Sequence, residues 1–179
     1  MKPCPKLYES IATRKLPSRM VYENFAHGVM ALLDIMPAAE GHIGVASLVC
    51  ERSIDALQSS VLRNKLYTVA TFAGRALELV YPDAPYVGEL AAHNQIPHPH
   101  LHRMPGDDKA DWAKRFGRLD DWPRLKLSTD HMDDIQSRLT TPDDLQELWQ
   151  ACDAEVAALG APDAGTVAAI KELGIVLPR

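Results

Sequence analysis

The sequence predicts an α+β fold with about five strands, one long helix between the third and fourth strands, and a helical C-terminal part. Three observations carry this prediction. Short apolar runs bounded by Pro, Gly and Asn fill much of the first half and are typical of strands. A continuous helical periodicity runs from Ser53 to Val80. Beyond Gly106, apolar residues recur mainly at helical spacing.

The strands are predicted within the first 105 residues, after a short helix in residues 5–18 that Pro17 ends. The first two are joined by a turn at residues 24–28, where Asn and Gly favour turn conformations, and they are expected to form a hairpin. The third is apolar almost throughout, which indicates burial on both faces. The predicted strands are Met20–Glu23, Val29–Asp34, His42–Val49, Tyr86–Ala91 and Ile96–Met104.

The longest periodic stretch is predicted to be a core helix packed across the sheet. Ser53 is a good N-cap, and Asp55 lies in the first turn, where the helix dipole favours a carboxylate. Tyr81-Pro82 ends the helix. The apolar positions at helical spacing are Leu57, Val61, Leu62, Leu66, Val69, Ala73, Ala76, Leu77 and Val80.

The tail is predicted to form short amphipathic helices that pack on the body or on a partner subunit. One is expected within residues 107–119. A second, which carries Met132, Ile135 and Leu139, is expected to be capped by its first residues. The predicted helix starts are Ser128 or Thr129, Thr141-Pro142 with Pro at the first helical position, and Asp163, and Gly160 ends the third helix.

Composition limits the possible classes of protein. A net charge of -5 over 179 residues argues against a nucleic-acid polymer as partner, although a small nucleotide is not excluded. No apolar run approaches the ~20 residues of a membrane span, and the N-terminus lacks a secretory signal. Cys4, Cys50 and Cys152 are odd in number and far apart, so they are expected to be reduced thiols in a cytoplasmic protein.

Three of the seven histidines lie at spacing two in the fifth predicted strand: His98, His100 and His102. In a strand such side chains point to one face, so the imidazoles would form a row about 13 Å long. Two neighbours could share one metal, whereas three could hardly reach the same ion. The row suits an extended anion such as a di- or triphosphate, with one imidazole attacking phosphorus and its neighbours donating hydrogen bonds. A metal clip and a surface cluster without function are the alternatives.

Two prolines interrupt the backbone amides of the same strand. Pro97 and Pro99 donate no hydrogen bond, and the amides that they replace would point to one edge. The segment is therefore predicted to lie at a sheet edge or at a local break in the pairing.

The row belongs to a longer pattern, His98-Pro99-His100-Leu101-His102-Arg103-Met104-Pro105, which resembles the signature of the histidine triad (HIT) superfamily of nucleotide hydrolases and transferases. The upstream stretches Val21-Tyr22-Glu23, Ala31-Leu32-Leu33-Asp34-Ile35-Met36-Pro37 and Gly41-His42-Ile43 are similar to the first half of that family. The resemblance covers roughly residues 6–105. It implies a HIT-like antiparallel sheet crossed by the long helix, a homodimer, and a nucleotide-binding catalytic domain at residues 1–105. Residues 106–179 are not explained by the resemblance, and their helical spacing predicts a helical C-terminal extension.

The resemblance also implies roles for individual residues. His100 is the nucleophile that attacks the α-phosphorus and gives a nucleotidyl-histidine intermediate. His98 and His102 hold the phosphate and stabilise charge, and His42 is a fourth histidine of the site. Arg103 is interpreted as an exposed surface residue, with contact to an extra phosphate as the alternative. The implied substrate-binding residues are Asp34 at the ribose, Leu33 and Ile35 at the base, and Asn94 and Gln95 near the bridging oxygen.

The expected function is hydrolysis or nucleotidyl transfer on a nucleotide or dinucleoside polyphosphate. A phosphorylase-like transferase, a nucleotide-binding or regulatory module with little turnover, and a metalloprotein that uses two of the histidines are the competing hypotheses. No cofactor is implied. Because Cys4 is not followed by a second Cys three residues later, no structural zinc is expected at the N-terminus.

Overall fold

The structure is a computed structural model, and it describes residues 10–13, 18–84, 86–90, 98–106 and 124–175. A helical turn at residues 10–12 is the described part of the helix predicted within residues 5–18. The helix predicted within residues 107–119 lies outside the described residues. The elements are β1 Met20–Asn24, a 3-10 turn Phe25–His27, β2 Val29–Leu33, β3 Ile43–Ser47, α1 Ser60–Val80, β4 Tyr86–Leu90, β5 His100–Gly106, α2 Thr129–Thr140, α3 Asp143–Ala158 and α4 Ala164–Glu172.

The five strands form one sheet in the order β1-β2-β3-β5-β4, and each neighbouring pair is antiparallel. The predicted hairpin of β1 and β2 is confirmed, and the left-handed Gly28 (φ 76°) closes it. The predicted antiparallel sheet crossed by one long helix is also confirmed. Because β4 follows the long helix yet pairs beyond β5, the chain returns to place β5 in the interior of the sheet.

The two faces of the sheet carry different clusters of apolar side chains. On one face, β2, β3 and β5 pack against α1, and α2 and α3 add their apolar stripes to the same cluster. On the other face, a smaller cluster joins β2 and β3 to the turn at residues 10–12 and to α4. The histidines lie on the same face, where β3 pairs with β5. Its buried members are Ile11, Ala12, Met30, Leu32, Ala46, Leu48 and Ile170.

The long helix begins later than the sequence predicts. Its N-cap is Ser59, whose side chain accepts a hydrogen bond from the amide of Leu62, so the predicted start at Ser53 is wrong. The Ser53 hydroxyl instead accepts from the amide of Ala56 in a local turn. Leu57 is nevertheless buried, 3% exposed, so apolar core residues at helical spacing continue back beyond the start of the helix.

The described C-terminal helices pack on the body of the protein. Tyr22 of β1 stacks on Trp149 of α3, with ring centroids 5.2 Å apart, and its hydroxyl donates to the carboxylate of Asp153. Ser128 and Asp163 cap α2 and α4 as predicted. The other cap differs: Pro142 occupies the N-cap position of α3 instead of its first turn, and it provides no side-chain hydrogen bond.

The proline-rich segment begins a central strand. Since β5 lies between β3 and β4, the sheet-edge alternative for this segment is wrong. The strand starts at His100, immediately after Pro99, whose carbonyl accepts a hydrogen bond from the amide of Ser47. His98 therefore precedes the strand, and only His100 and His102 follow the predicted strand geometry.

The cysteines differ in state. Cys152 is free and buried in α3, and burial raises the pKa of its thiol to about 12. Cys50 is disulfide-bonded, so the expectation of three reduced thiols is wrong. Within the described part of the chain, no helix is long and apolar enough to cross a membrane.

Candidate active site

The register of β3 against β5 brings three of the histidines together. Gly44 pairs with His102 and Ala46 with His100, and His42 lies two residues before Gly44. Because alternate residues share a face, all three imidazoles project from the same side of the sheet. Gly44 and Ala46 have little or no side chain there, so they leave room for the rings opposite them.

The surroundings of His100 determine which of its nitrogens carries the proton. Its Nδ1 lies 2.7 Å from the carbonyl oxygen of His98, and a carbonyl only accepts, so Nδ1 carries the hydrogen. The lone pair of the neutral ring is then on Nε2, the atom that a nucleophile needs. The His98 ring is held in turn by the carbonyl of Ser47, 2.7 Å from its Nε2. His98 thus positions His100 through its backbone.

His42 and His102 form a hydrogen-bonded pair in which the donor can be assigned. The amide of Ala38 donates to Nδ1 of His42 at 3.1 Å, so the hydrogen of the neutral His42 ring is on Nε2. That nitrogen lies 2.7 Å from Nδ1 of His102 and donates to it. The neutral His102 ring consequently carries its hydrogen on Nε2. The ring centroids of His100 and His102 are 4.9 Å apart, which places a donor and a nucleophile side by side.

Burial keeps His42 neutral. Desolvation lowers the pKa of His42 to about 4. The Asp34 carboxylate acts in the opposite sense, and Arg124 and His100 add to the lowering. At neutral pH the ring therefore stays in the tautomer that orients His102.

Asp34 lies next to this pair, at the end of β2. Its Oδ1 accepts from the amide of Met36 at 2.8 Å, and its Oδ2 lies 3.8 Å from Nδ1 of His42. Ligand atoms of Asp34, His42 and His102 lie within 4.8 Å of one another, a spacing that could hold a metal ion. The 2.7 Å between the imidazole nitrogens is a hydrogen-bond distance, shorter than the roughly 3.4 Å between two nitrogens on one tetrahedral zinc. Both nitrogens of His42 thus have hydrogen-bond partners: the amide of Ala38 at Nδ1 and Nδ1 of His102 at Nε2.

Comparison with solved structures identifies the fold. A hypothetical histidine triad nucleotide-binding protein from Sulfolobus tokodaii matches with a TM-score of 0.61 at 19% identity, over 81% of this chain and 92% of that one. A HIT-like protein involved in cell-cycle regulation from Bartonella henselae matches at 0.58 and 19%, over 74% and 92%. The chain has the histidine triad fold. No protein-family model matches the sequence, and no curated protein matches it significantly.

A third histidine triad structure is a zinc-bound family protein from Mycobacterium smegmatis. It matches with a TM-score of 0.55 at 18% identity, over 83% of this chain and 96% of that one. The agreement of three such structures confirms the predicted HIT-like fold. At these identities the likeness concerns the fold, and the chemistry of the site rests on the side chains described above.

The histidine triad fold brings some of the predicted substrate-binding residues to the site and places others elsewhere. Asp34 lies beside His42, and Ile35 follows it with 66% of its surface exposed. Leu33 is 1% exposed and lies in the core cluster with α1, on the opposite face from the histidines. Asn94 and Gln95 lie outside the described residues.

Arg103 occupies neither of the predicted places. Its Nε donates to the backbone carbonyl of Ala70 in α1 at 2.7 Å, and its guanidinium lies against Gly74. The interpretation as an exposed surface residue is wrong, because the side chain is partly buried between β5 and α1. Contact with a phosphate bound by the histidines is also ruled out in this position, since Arg103 points to the opposite face of the sheet.

Several groups at the site carried no sequence signal. The carbonyls of His98 and Ser47 and the amide of Ala38 orient the rings through backbone atoms, which any residue would supply. Arg124 also lies here: its Nη1 donates to the carbonyl of Met36 at 3.0 Å. It belongs to an irregular segment 18 residues after β5 ends, counted from Gly106 to Arg124, where no periodicity predicts its place.

The neutral state of His42 predicts a pH dependence of stability. An unfolded His binds a proton with a pKa of about 6.5, whereas the folded His42 does so only near 4. Between these two pH values the unfolded chain binds a proton at His42 that the folded chain does not bind. The stabilisation of the folded state that comes from His42 is therefore complete above pH ~6.5 and is lost as the pH falls to about 4. The difference between the two pKa values corresponds to about 3 kcal/mol in the free energy of unfolding. Urea unfolding of His42→Gln should show a correspondingly shallower loss of the free energy of unfolding over this range.

His131→Gln is the matched control for this measurement. His131 has 42% of its side chain exposed. Its replacement removes the same ionisable group as His42→Gln, but from a position that is not fully buried. The control should follow the parent curve closely. Parallel pH curves for His42→Gln and the parent would contradict the assignment of a buried neutral ring.

Proposed function

We propose that this protein is a nucleotide hydrolase or nucleotidyl transferase that acts at the α-phosphate of a nucleotide derivative through a covalent intermediate on His100. One observation carries the proposal: the bond between His100 Nδ1 and the His98 carbonyl leaves the ring's lone pair on Nε2. The same face supplies a donor at His102, and the histidine triad fold supports the arrangement.

The chemistry proceeds in two displacements. His100 Nε2 attacks the α-phosphorus, the new N–P bond forms, and the bond from phosphorus to the leaving group breaks. The positive charge that develops on the imidazole is stabilised because its Nδ1–H points at the His98 carbonyl. His102 Nε2–H donates a hydrogen bond to the phosphate, and the leaving group takes its proton from solvent. Water or another acceptor then attacks phosphorus and loses its proton to solvent, the N–P bond breaks, and neutral His100 is regenerated.

His42 acts as a positioning residue in this scheme. Since its Nε2–H occupies Nδ1 of His102, the proton of His102 is held on the nitrogen available for the substrate. Asp34 accepts hydrogen bonds from the ribose hydroxyls, and exposed Ile35 contacts the base. A nucleotide ligand agrees with the name of the Sulfolobus tokodaii protein, a nucleotide-binding protein of the same fold. Leu33 is not included, because it lies in the core.

Entry of a substrate needs some rearrangement around the nucleophile. His100 is 2% exposed and His98 1%, whereas His102 is 9% exposed. The groups that cover His100 must move before phosphorus can come within bonding distance of Nε2. This burial also excludes water from the nucleophile, which strengthens hydrogen bonds to a bound phosphate.

The assembly and location remain part of the proposal. We infer a homodimer, which the terminal position of β4 in the sheet and the exposed Tyr67 and Leu79 on α1 support. Residues 106–179 form an extension whose described helices pack on the catalytic body. The cytoplasmic location stays a prediction, and the disulfide at Cys50 weakens one of its arguments.

Single-turnover labelling tests the proposed function. Excess protein is mixed with a nucleoside phosphoramidate or a dinucleoside polyphosphate labelled at the α-phosphate, then quenched in base, in which phosphohistidine survives. The proposal predicts label attached to the denatured chain, followed by release of the nucleotide. Tight binding without attached label or turnover would favour the nucleotide-binding module instead. Stoichiometric metal in the purified protein, with no nucleotide bound, would favour the metalloprotein.

A further inference from the structure

The loop between β2 and β3, residues 34–42, supplies the amide that sets the first tautomer of the site. In this loop the amide of Ala38 donates to Nδ1 of His42. Oδ2 of Asp34 lies 3.8 Å from the same nitrogen and, as an acceptor, favours a hydrogen there. Ala38 and Asp34 therefore favour opposite tautomers of His42, and the conformation of the loop decides between them.

The other tautomer of His42 would reverse the donor at His102. With its hydrogen on Nδ1, His42 would present a lone pair from Nε2 to Nδ1 of His102, which lies 2.7 Å away. His102 would then donate from Nδ1, and its Nε2 would carry a lone pair instead of a hydrogen. A lone pair at that nitrogen repels phosphate oxygens, so the site depends on the Ala38 amide staying in place.

The loop is anchored at Glu40, two residues before His42. Oε1 of Glu40 accepts from the hydroxyl of Tyr81 at 3.2 Å and forms an ion pair with Nη1 of Arg138 at 3.5 Å. The Arg138 guanidinium lies over the Tyr81 ring, 4.9 Å from its centroid, and Nη2 donates to the carbonyl of Val80 at 3.0 Å. These three side chains, the Glu40 network, tie the loop to the end of α1 and to α2 of the C-terminal extension.

The Glu40 network also packs against Gly41. This glycine has a left-handed backbone (φ 76°), and a Cβ at its position would come within 2.6 Å of the Tyr81 ring. The ring therefore lies against the residue that directly precedes the site histidine. An exposed ion pair alone adds little, and Oε2 of Glu40 has one such contact, with Nε2 of half-exposed His131 at 3.2 Å. Arg138 differs because its guanidinium is also fixed over Tyr81 and at the end of α1.

We propose that Arg138 is a positioning residue of the site: through the Glu40 network it holds the loop where the Ala38 amide donates to the site. The C-terminal extension, which lies beyond the residues covered by the family resemblance, thereby contributes to the chemistry. The inference rests on the proposed function for its effect on turnover. Its effects on the loop and on the histidine ring are independent of any substrate.

Hydrogen exchange of backbone amides, followed by NMR, tests the effect on the loop. Arg138→Ala removes the guanidinium from both Tyr81 and Glu40. The Ala38 amide should therefore exchange about 3- to 30-fold faster, as expected for the loss of a cation–π contact and an ion pair. The amide of Gly28, in the turn at the other end of β2, should keep its parental rate. Arg138→Lys keeps the charge and loses the planar fork, so its effect should be smaller.

Ring ¹⁵N spectra and steady-state rates test the effect on the site. In protein labelled at its histidines, the parent His42 should carry its hydrogen on Nε2, and Arg138→Ala should shift the Nδ1 signal towards that of a protonated nitrogen. The signal is assigned by its absence in His42→Gln. In Arg138→Ala, kcat should fall at least about 3-fold while KM changes less than about 2-fold, because the nucleophile and the binding groups remain.

Arg75→Ala is the matched control. Arg75 is exposed on α1 and lies over the Phe72 ring, 5.1 Å from its centroid, so its replacement also removes a positive charge and a cation–π contact. It should leave the exchange of the Ala38 amide, the ring spectra and kcat at parental values.

Three results for Arg138→Ala would each overturn the inference. They are an unchanged Ala38 amide or equal acceleration at Gly28, a His42 ring signal that stays parental, and parental kcat despite faster exchange in the loop. If the parent itself shows no turnover, the proposed function fails, and the exchange rates and ring spectra still decide whether Arg138 positions the loop.

Discussion

Replacement of His100 is expected to reduce kcat/KM by several orders of magnitude, on the order of 10⁶ as for loss of a nucleophile in well-studied triads. The reason is that no other described group places an unprotonated imidazole nitrogen beside the Nε2–H donor of His102. Residual activity would come only from binding and from the remaining donors. The measurement is kcat/KM on a nucleoside phosphoramidate and on a dinucleoside polyphosphate.

The choice of variant separates loss of the nucleophile from loss of the fold. His100→Asn keeps an amide N–H near the place of Nδ1, and so can retain the bond to the His98 carbonyl, while it removes the attacking nitrogen. His100→Ala removes both. Both variants should be inactive, and circular dichroism should show the parent fold at least for His100→Asn. His131→Ala, which removes a partly exposed histidine outside the site, should keep parental turnover. Wild-type turnover by His100→Asn on every substrate would refute the assignment.

Replacement of His42 by alanine is expected to lower kcat/KM by about 10²–10³, the loss of rate that is usual when one preorganised hydrogen-bond donor is removed. His42 does not attack phosphorus. Its loss leaves the proton of His102 free to occupy either nitrogen, because the 2.7 Å bond that selects the tautomer is gone. The effect should therefore be smaller than that of His100, and it should appear mainly in kcat.

His42→Gln provides the matched variant. A glutamine amide can donate to Nδ1 of His102 from near the position of the imidazole Nε2, although it cannot also reproduce the acceptor for Ala38. It should recover part of the activity lost in His42→Ala. A purely structural role for His42 would give two variants with equal activity, each explained by its loss of stability in urea.

Much of the fold could be predicted from the sequence because its signals are local. Alternation and turn residues predicted all five strands to within a few residues, and the caps at Ser128 and Asp163 predicted two helix starts. The predicted start of the long helix is wrong for a physical reason. Ile54 and Leu57 are core residues at helical spacing, yet they lie in turns that enter the core before the helix begins at Ser60.

The part of the site that could be predicted is the part that follows from the spacing of its side chains along the sequence. His100 and His102 share a face because they alternate in β5, and the register with β3 adds His42. The tautomers depend on backbone carbonyls and amides that no residue type reveals. Arg103 and Arg124 show the same limit: Arg103 turns to α1, and Arg124 reaches the loop after β2 through its hydrogen bond to the carbonyl of Met36.

The central claim is that Nε2 of His100 forms the bond to phosphorus, and peptide mapping of the trapped intermediate tests it most directly. The protein is quenched in base after a single turnover, digested, and analysed by mass spectrometry with fragmentation that preserves the N–P bond. We predict one nucleotidyl group on His100, and none on His98, His102 or His42. A nucleotidyl group on any of those three residues, or complete turnover with no modified peptide at any time point, would contradict the account.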